Sequence, residues 1–512
     1  MIEPHRRHFL VAATLSALLP ALASAQPLGS PVPPTVDNPN RFAVVGVPAA
    51  RRFFQLAATR RVDICIVGDS NARSSSCGHE AGMGLAFDAR FGTYATSVEP
   101  ASGVGGWGAS IASVSASMFP PFTSDNAPAQ VSLYTFADAG FPAAYTQLAD
   151  GVTAPSNFNT GLTLLPECPI DIAGPLRYHA TQWVYGPTSA GYFNPTCRPA
   201  WPGDAYANYA ASPTISSAGP TRLLSDVALD VPPGARTADG LLFCVADAAG
   251  ARDARGPLCI TWQRVENTSR PKGIAYSPLW AIGGRSAYSA CAAMQSAGAA
   301  PREWFRQATR LQNAPPVLLV QILHGGNDIN SHSASLGPIG GLDSATPAGQ
   351  EDNTRGIILA VRNSWVYSGH DPANLFFLLG PYHPVPYADS PQPGYEQGWR
   401  NIAAADPQVV AIAGTMLTTP EELNLKGYLS GGVDIAHLSI PGFLGWGRTT
   451  ISALSRALCP ADFDENGTLA VADIFAYLNA WFALDKPADF NYSGTLETQD
   501  IFDFLGAWFA GC

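Results

Sequence analysis

Short apolar runs, each closed by glycine or small polar residues, recur along this chain and set its expected architecture. Val62, Ile64, Ile66 and Val67 form a strand-like run that stops at Gly68-Asp69-Ser70. Such runs read as buried strands of a parallel sheet. The residues from Asn71 to Gly84 are small, polar and Gly-dotted, and turn helical toward Phe87 and Arg90. Ala275 to Ile282 repeats the pattern, ending in Gly283-Gly284-Arg285-Ser286 before a helix-like run from Ala287 to Gln312. Pro316 to Leu323 is strongly apolar and closes on His324-Gly325-Gly326-Asn327-Asp328. Gly356–Trp365 and Tyr395–Ala405 read as helices, Leu375–Gly380 and Val409–Ala413 as strands. Strand, loop, helix, strand is the grammar of an α/β, doubly wound, three-layer flavodoxin-like sheet.

That grammar is interrupted over 93–272, where Pro, Gly, Ser and Thr punctuate short runs such as Leu241–Cys244 and Cys259–Trp262. We expect a β-rich insertion between core segments 61–92 and 273–457. Residues 1–25 read as an export signal: Arg6 and Arg7, an apolar stretch, then Ala23-Ser24-Ala25. Arg6-Arg7-His8-Phe9-Leu10 also fits a twin-arginine signal. Residues 26–60 are expected to be a Pro-rich lead-in, and no later stretch qualifies as a membrane span.

A net charge of −11 with only three lysines, Lys272, Lys426 and Lys486, argues against nucleic-acid partners. Nine cysteines in an exported chain point to disulfides with one left over, though spacing fixes no connectivity. The expected pairs are Cys168–Cys197, Cys244–Cys259 and Cys459–Cys512, with Cys77–Cys291 a weaker fourth and Cys65 a buried free thiol. Gly103 to Gly108 matches G-x-G-x-x-G, but no acidic residue closes a following strand at the right distance, so no dinucleotide site is expected.

A serine at the carboxyl end of a buried parallel strand sits where open α/β sheets bind ligands. Gly68-Asp69-Ser70, Gly325-Gly326-Asn327-Asp328 and Asp434-Ile435-Ala436-His437 occur in that order. Together they resemble the first, third and last motifs of the SGNH (GDSL-type) hydrolase family. The resemblance implies Ser70 as nucleophile, His437 as base and acid, and Asp434 as the group orienting the imidazole. It implies an oxyanion hole from the backbone N–H of Ser70, Gly284 and the Asn327 amide, with Gly106 a rival to Gly284. Each feature alone is also an ordinary turn or loop cap. No Gly-x-Ser-x-Gly elbow is present, against an ordinary α/β-hydrolase. The implied activity is ester hydrolysis without a catalytic cofactor. The first choice of substrate is an esterified polysaccharide, then a lipid or aryl ester. A non-catalytic glycan-binding surface protein is the reading from another class.

The tail, 458–512, carries a repeat. Asp462-Phe-Asp464-Glu-Asn466-Gly467-Thr468-Leu, then Asp473, returns as Asp489-Phe-Asn491-Tyr-Ser493-Gly494-Thr495-Leu, then Asp500. Oxygen side chains at loop positions 1, 3, 5 and 12 with glycine at 6 suit Ca²⁺. Thr468 and Thr495 would add only backbone carbonyls. One helix after each loop, aspartate at position 12, and the Gly511-Cys512 end resemble a GC-type dockerin. That resemblance implies structural calcium, a small helical module and a cohesin-like or cell-surface anchoring partner.

Overall fold

The computed structural model describes residues 43–69, 72, 93–98, 131–133, 146–148, 159–164, 174–184, 192–199, 210–211, 215–216, 223–231, 241–247, 258–281, 286–296, 309, 312, 314–324, 328, 346–381, 392–413, 424–425, 427–429, 438–464, 468–485, 488–490 and 495–511. The labelled strands are β1 (Ala43–Val45), β2 (Arg61–Gly68), β3 (Thr93–Val98), β4 (Leu176–Val184), β5 (Leu223–Val231), β6 (Leu258–Asn267), β7 (Gly273–Ala281), β8 (Leu318–Leu323), β9 (Leu375–Leu379) and β10 (Val409–Ala413). The helices are α1 (Val47–Thr59), α2 (Ala287–Ser296), α3 (Pro347–Tyr367), α4 (Gln392–Ala405), α5 (Ile440–Leu458), α6 (Val471–Phe482) and α7 (Thr498–Ala510).

The protein is mixed α/β, built on a parallel-rich sheet. β7, β2, β8, β9 and β10 lie side by side and all run parallel. Counted in chain order these five strands are arranged 2-1-3-4-5. Strand alternation divides their side chains between two faces. Val62, Ile64 and Ile66 join a cluster with Phe53 and Ala57 of α1 and Ile451 and Leu454 of α5. Cys65 and Val67 join Ala290 of α2, Ile357, Val361 and Trp365 of α3, and Trp399 and Ile402 of α4. Helices therefore cover both faces, which is why β8 and β9 are buried along their whole length and β2 from Val62 onward, with Asp63 and Gln321 as polar residues in otherwise apolar runs.

Part of the expected lead-in is core. β1 pairs antiparallel with β10, and α1 buries Ala49, Ala50, Phe53, Phe54 and Ala57. Those five positions recur at helical spacing on one face, with Pro48 in the first turn where its missing N–H costs nothing. The helix expected from Ala287 is described only to Ser296; residues 297–308 lie outside the described residues.

The insert is continuous with the core sheet. β3 runs parallel to β7, and β6 pairs antiparallel with both β3 and β4. A second sheet is formed by Tyr192–Pro199, Leu241–Asp247, Asn159–Leu164, Ile215–Ser216 and Ala210–Ala211. Buried charges tie β6 to the start of β2. Arg264 donates to Asp63, whose second oxygen accepts from Gln312 Nε2 at 2.5 Å. Arg61 Nη1 lies 3.0 Å from Glu266 Oε2, and His179 Nε2 lies 3.2 Å from Glu266 Oε1. Burial alone would raise the Glu266 carboxyl. The His179 hydrogen bond and the charges of His179, Arg61 and Arg264 outweigh it and hold the group below its ordinary value.

Neither Cys65 nor Cys291 is in a disulfide, and both are buried, which overturns the Cys77–Cys291 pairing. Burial pushes the Cys291 thiol up to about 11. Cys459 is in a disulfide. Among the described residues no helix is long and apolar enough to cross a membrane.

The tail has its own small core. Tyr477 of α6 stacks on Phe504 of α7, ring centroids 4.1 Å apart and planes 3° from parallel. Phe463 and Phe490 pack edge-on against both rings. Trp481 Nε1 donates to Glu497 O at 3.3 Å and Trp508 Nε1 to Ala470 O at 3.1 Å. The two sequence repeats thus clasp each other reciprocally.

Candidate functional site

The 2-1-3-4-5 order reverses direction between β2 and β8, and open α/β sheets bind ligands at the carboxyl ends of such a switch point. Gly68 ends β2 in register with Ala281 of β7 on one side and Leu323 of β8 on the other. Three chain segments therefore leave the sheet side by side from one edge. In sequence they lead to Ser70, to Gly284 and to Asn327.

Gly68 is glycine for a steric reason. A Cβ there would lie 2.4 Å from the Ala72 methyl and 2.9 Å from the Leu323 carbonyl oxygen. Only a residue without a side chain lets Ala72 lie so close to the strand end. Asp69 and Ala72 are both buried. Ala72, Leu323 and Leu438 belong to one apolar cluster, so the flanks of three motifs share a single packed floor.

Beyond β8, the Asp328 carboxylate is fully buried and accepts the Ala287 N–H at the start of α2, at 2.9 Å to Oδ1 and 3.1 Å to Oδ2. Ser286 and Ser289 bond reciprocally at the same turn: Ser289 N donates to Ser286 Oγ at 3.2 Å, and Ser286 N to Ser289 Oγ at 3.0 Å. The exit of β9 is braced as well. Gln321 Nε2 donates to Gly380 O at 3.0 Å and Trp446 Nε1 to Pro381 O at 3.0 Å.

The last motif is anchored on its carboxyl side. Leu438 bridges to Leu429, Ser439 N donates to Tyr428 O at 2.8 Å, and Ser439 Oγ donates to Gly427 O at 2.6 Å while capping Gly442 N at 3.2 Å. A Cβ on Gly442 would lie 2.2 Å from Tyr428 O, so glycine is required there too. Ser70, Gly284, Asn327, Asp434 and His437 themselves, with Gly106 and His383, lie outside the described residues. What the structure brings together is their described neighbours: Gly68 with Ala281 and Leu323, and Asp328 with Ala287.

Sequence reasoning placed Asp328 in a motif but missed its bond to Ala287, because that partner is 41 residues away and no local pattern marks the pair. It also missed Ser439, although a serine two residues ahead of Pro441 is a legible helix-start signal.

In the tail, ligand oxygens of Asp462, Asp464 and Asp473 lie within 4.8 Å of one another. Asp473 is held in place by its own acceptances, from Ala470 N at 2.8 Å and Asp464 N at 3.2 Å. In the second repeat Asp500 accepts from Glu497 N at 2.8 Å, the equivalent bond. Three converging carboxylates repel unless a cation sits among them, and a hard, oxygen-preferring ion fits this donor set. Thr468, Asp489 and Thr495 are described, whereas Asn466, Asn491 and Ser493 are not. Burial and the nearby carboxylates of Asp500, Asp503 and Asp489 push the Tyr477 phenol well up. Its hydroxyl therefore stays protonated and donates to Ala488 O at 3.1 Å.

No family model matches the chain, and no curated protein matches it. Among solved structures it is similar to a peptidoglycan O-acetylesterase, with a TM-score of 0.41 and 12% identity over 82% of this chain and 97% of that one. A family two carbohydrate esterase from Cellvibrio japonicus gives a TM-score of 0.25 and 9% identity over 65% and 96%. An arabinose-bound α-L-arabinofuranosidase gives 0.25 and 10% over 66% and 61%. Likenesses at these scores carry no argument about what the chain does.

Proposed function

We propose that this protein is an exported serine esterase of the SGNH type, acting on an esterified polysaccharide and anchored through its calcium-binding tail. The observation that carries the reading is the common edge at Gly68. There β2, β7 and β8 end in register, at the switch point of the sheet, and in sequence they lead to Ser70, Gly284 and Asn327. In this reading Ser70 Oγ attacks the ester carbonyl while His437 takes its proton, and Asp434 holds the imidazole in the tautomer this requires. The backbone N–H of Ser70, the backbone N–H of Gly284 and the Asn327 amide stabilise the tetrahedral oxyanion. His437 then protonates the leaving alcohol, and water releases the acid by the same steps in reverse.

The fold is correspondingly read as a doubly wound, flavodoxin-like sheet. The tail is read as a dockerin-like module holding Ca²⁺ on Asp462, Asp464, Asn466, Thr468 and Asp473, and on Asp489, Asn491, Ser493, Thr495 and Asp500, with a cohesin-like or surface partner. Its carboxylate cluster supports the metal, and an anchored enzyme suits a polymeric substrate better than a diffusing one. The test is labelling of the folded full chain by a fluorophosphonate, followed by peptide mapping. Adduct on Ser70, absent after heat unfolding, is expected. Absence of adduct in folded protein would refute a serine nucleophile at this position.

A further inference from the structure

We propose that Asp328 is a positioning residue that fixes the spacing between the two loops bearing the oxyanion donors. This rests on the reading of Gly284 and Asn327 as those donors. In sequence, Asn327 directly precedes Asp328 and Gly284 stands three residues before Ala287. The Asp328 carboxylate grips the Ala287 N–H with both oxygens, at 2.9 and 3.1 Å. Both residues are completely buried, so no water competes for the bond. A carboxylate on an N–H at a helix start is also charge-assisted, because the helix dipole presents its positive end there.

The far end of the tether is stiff. The Ser286–Ser289 pair and the Ala290 N–H bond to Ser286 O at 3.0 Å lock the first turn of α2 as a unit. The near end is stiff as well, since β8 is buried on both faces between β2 and β9. Asp328 thus joins the segment after β8 to the helix after β7. An oxyanion hole made from two separate loops depends on such a tie. Displacing a donor by about 1 Å typically costs on the order of a hundredfold in rate.

A bond that only stabilised α2 would change folding and leave turnover per folded molecule alone. The test is therefore kinetic, on the full chain, with p-nitrophenyl acetate. Asp328→Ala is expected to lower kcat roughly 10- to 100-fold with KM within about twofold. In an Asn327→Ala background the same substitution should cost less than about threefold, because the donor it positions is already gone. Asp328→Asn keeps an acceptor for Ala287 N–H and should retain most of kcat. Wild-type kcat in folded Asp328→Ala, or effects that multiply in the double variant, overturns the role. Should Asp328→Ala fail to fold, Asp328→Glu keeps the charge but lengthens the tether by one methylene. About tenfold lower kcat is then expected, and wild-type kcat overturns the proposal. Ser70→Ala separates the two levels. Full activity in it refutes the hydrolase reading and this role with it. Its inactivity beside a fully active Asp328→Ala refutes this role alone.

Discussion

Gly68→Ala adds one methyl group, and the structure says where it goes. The new carbon would meet the Ala72 side chain at 2.4 Å and the Leu323 carbonyl oxygen at 2.9 Å, against an ordinary contact of 3.4 Å or more. Relief needs about 1 Å of movement, the difference between those distances. Leu323 belongs to a strand paired on both sides and cannot give, so the segment from Asp69 to Ala72 must. Overpacking of this kind costs about 1–3 kcal/mol of stability. Ser70 lies inside the displaced segment, so kcat for p-nitrophenyl acetate should fall on the order of a hundredfold in the folded fraction. Gly174→Ala is the matched control. Its Cβ would meet the end of the buried Asn267 side chain, with Nδ2 at 2.4 Å, beside the turn that joins β6 to β7 and away from the β2 carboxyl end. It should lower the urea midpoint while leaving kcat per folded molecule unchanged. Wild-type kcat in Gly68→Ala, or an equal loss in both variants, would refute the placement of the chemistry at the β2 carboxyl end.

Glu266 is held below its ordinary value of 4.5, so its contribution to stability is present above about pH 4.5 and is lost as pH falls through the lower folded-state value. Glu266→Gln should therefore destabilise the chain by about 3 kcal/mol at pH 7, with a smaller gap from wild type at pH 3; an equal gap at both refutes the ion cluster as the cause. In the tail, Asp473→Asn should weaken Ca²⁺ binding to the full chain on the order of tenfold by calorimetry, and unchanged heats would count against the first loop as a metal site. Cys65 and Cys291 should resist a thiol reagent in the native state at pH 8 and react after unfolding in guanidinium, whereas rapid native labelling of Cys291 would contradict its burial.

The parallel core was legible because its signals are local. Val409–Ala413 and Leu375–Gly380 are apolar runs closed by turn residues; the first is a strand with those same limits, and the second ends one residue earlier, at Leu379. What the sequence hid is non-local. α1 was obscured by its Pro-containing start and alanine-rich face, since alanines at positions 49, 50 and 57 show core spacing only once a sheet is there to receive them. The insert's union with the core depends on β3 finding β7 across more than a hundred intervening residues, which no periodicity records. The same limit applies at the site. Gly68 announced a turn, but only the packing of Ala72 and Leu323 shows why nothing larger fits. The loop aspartates of the tail were legible from their repetition, while the Tyr477–Phe504 stack that holds the repeats together needed coordinates.

The central claim is tested most directly by the rate at which the purified mature protein releases acetate from p-nitrophenyl acetate and an acetylated polysaccharide, beside Ser70→Ala. The account predicts turnover of both substrates by the wild type and loss of at least about a thousandfold in the variant. Equal rates in the two proteins, or no turnover of either substrate by the wild type, would contradict it.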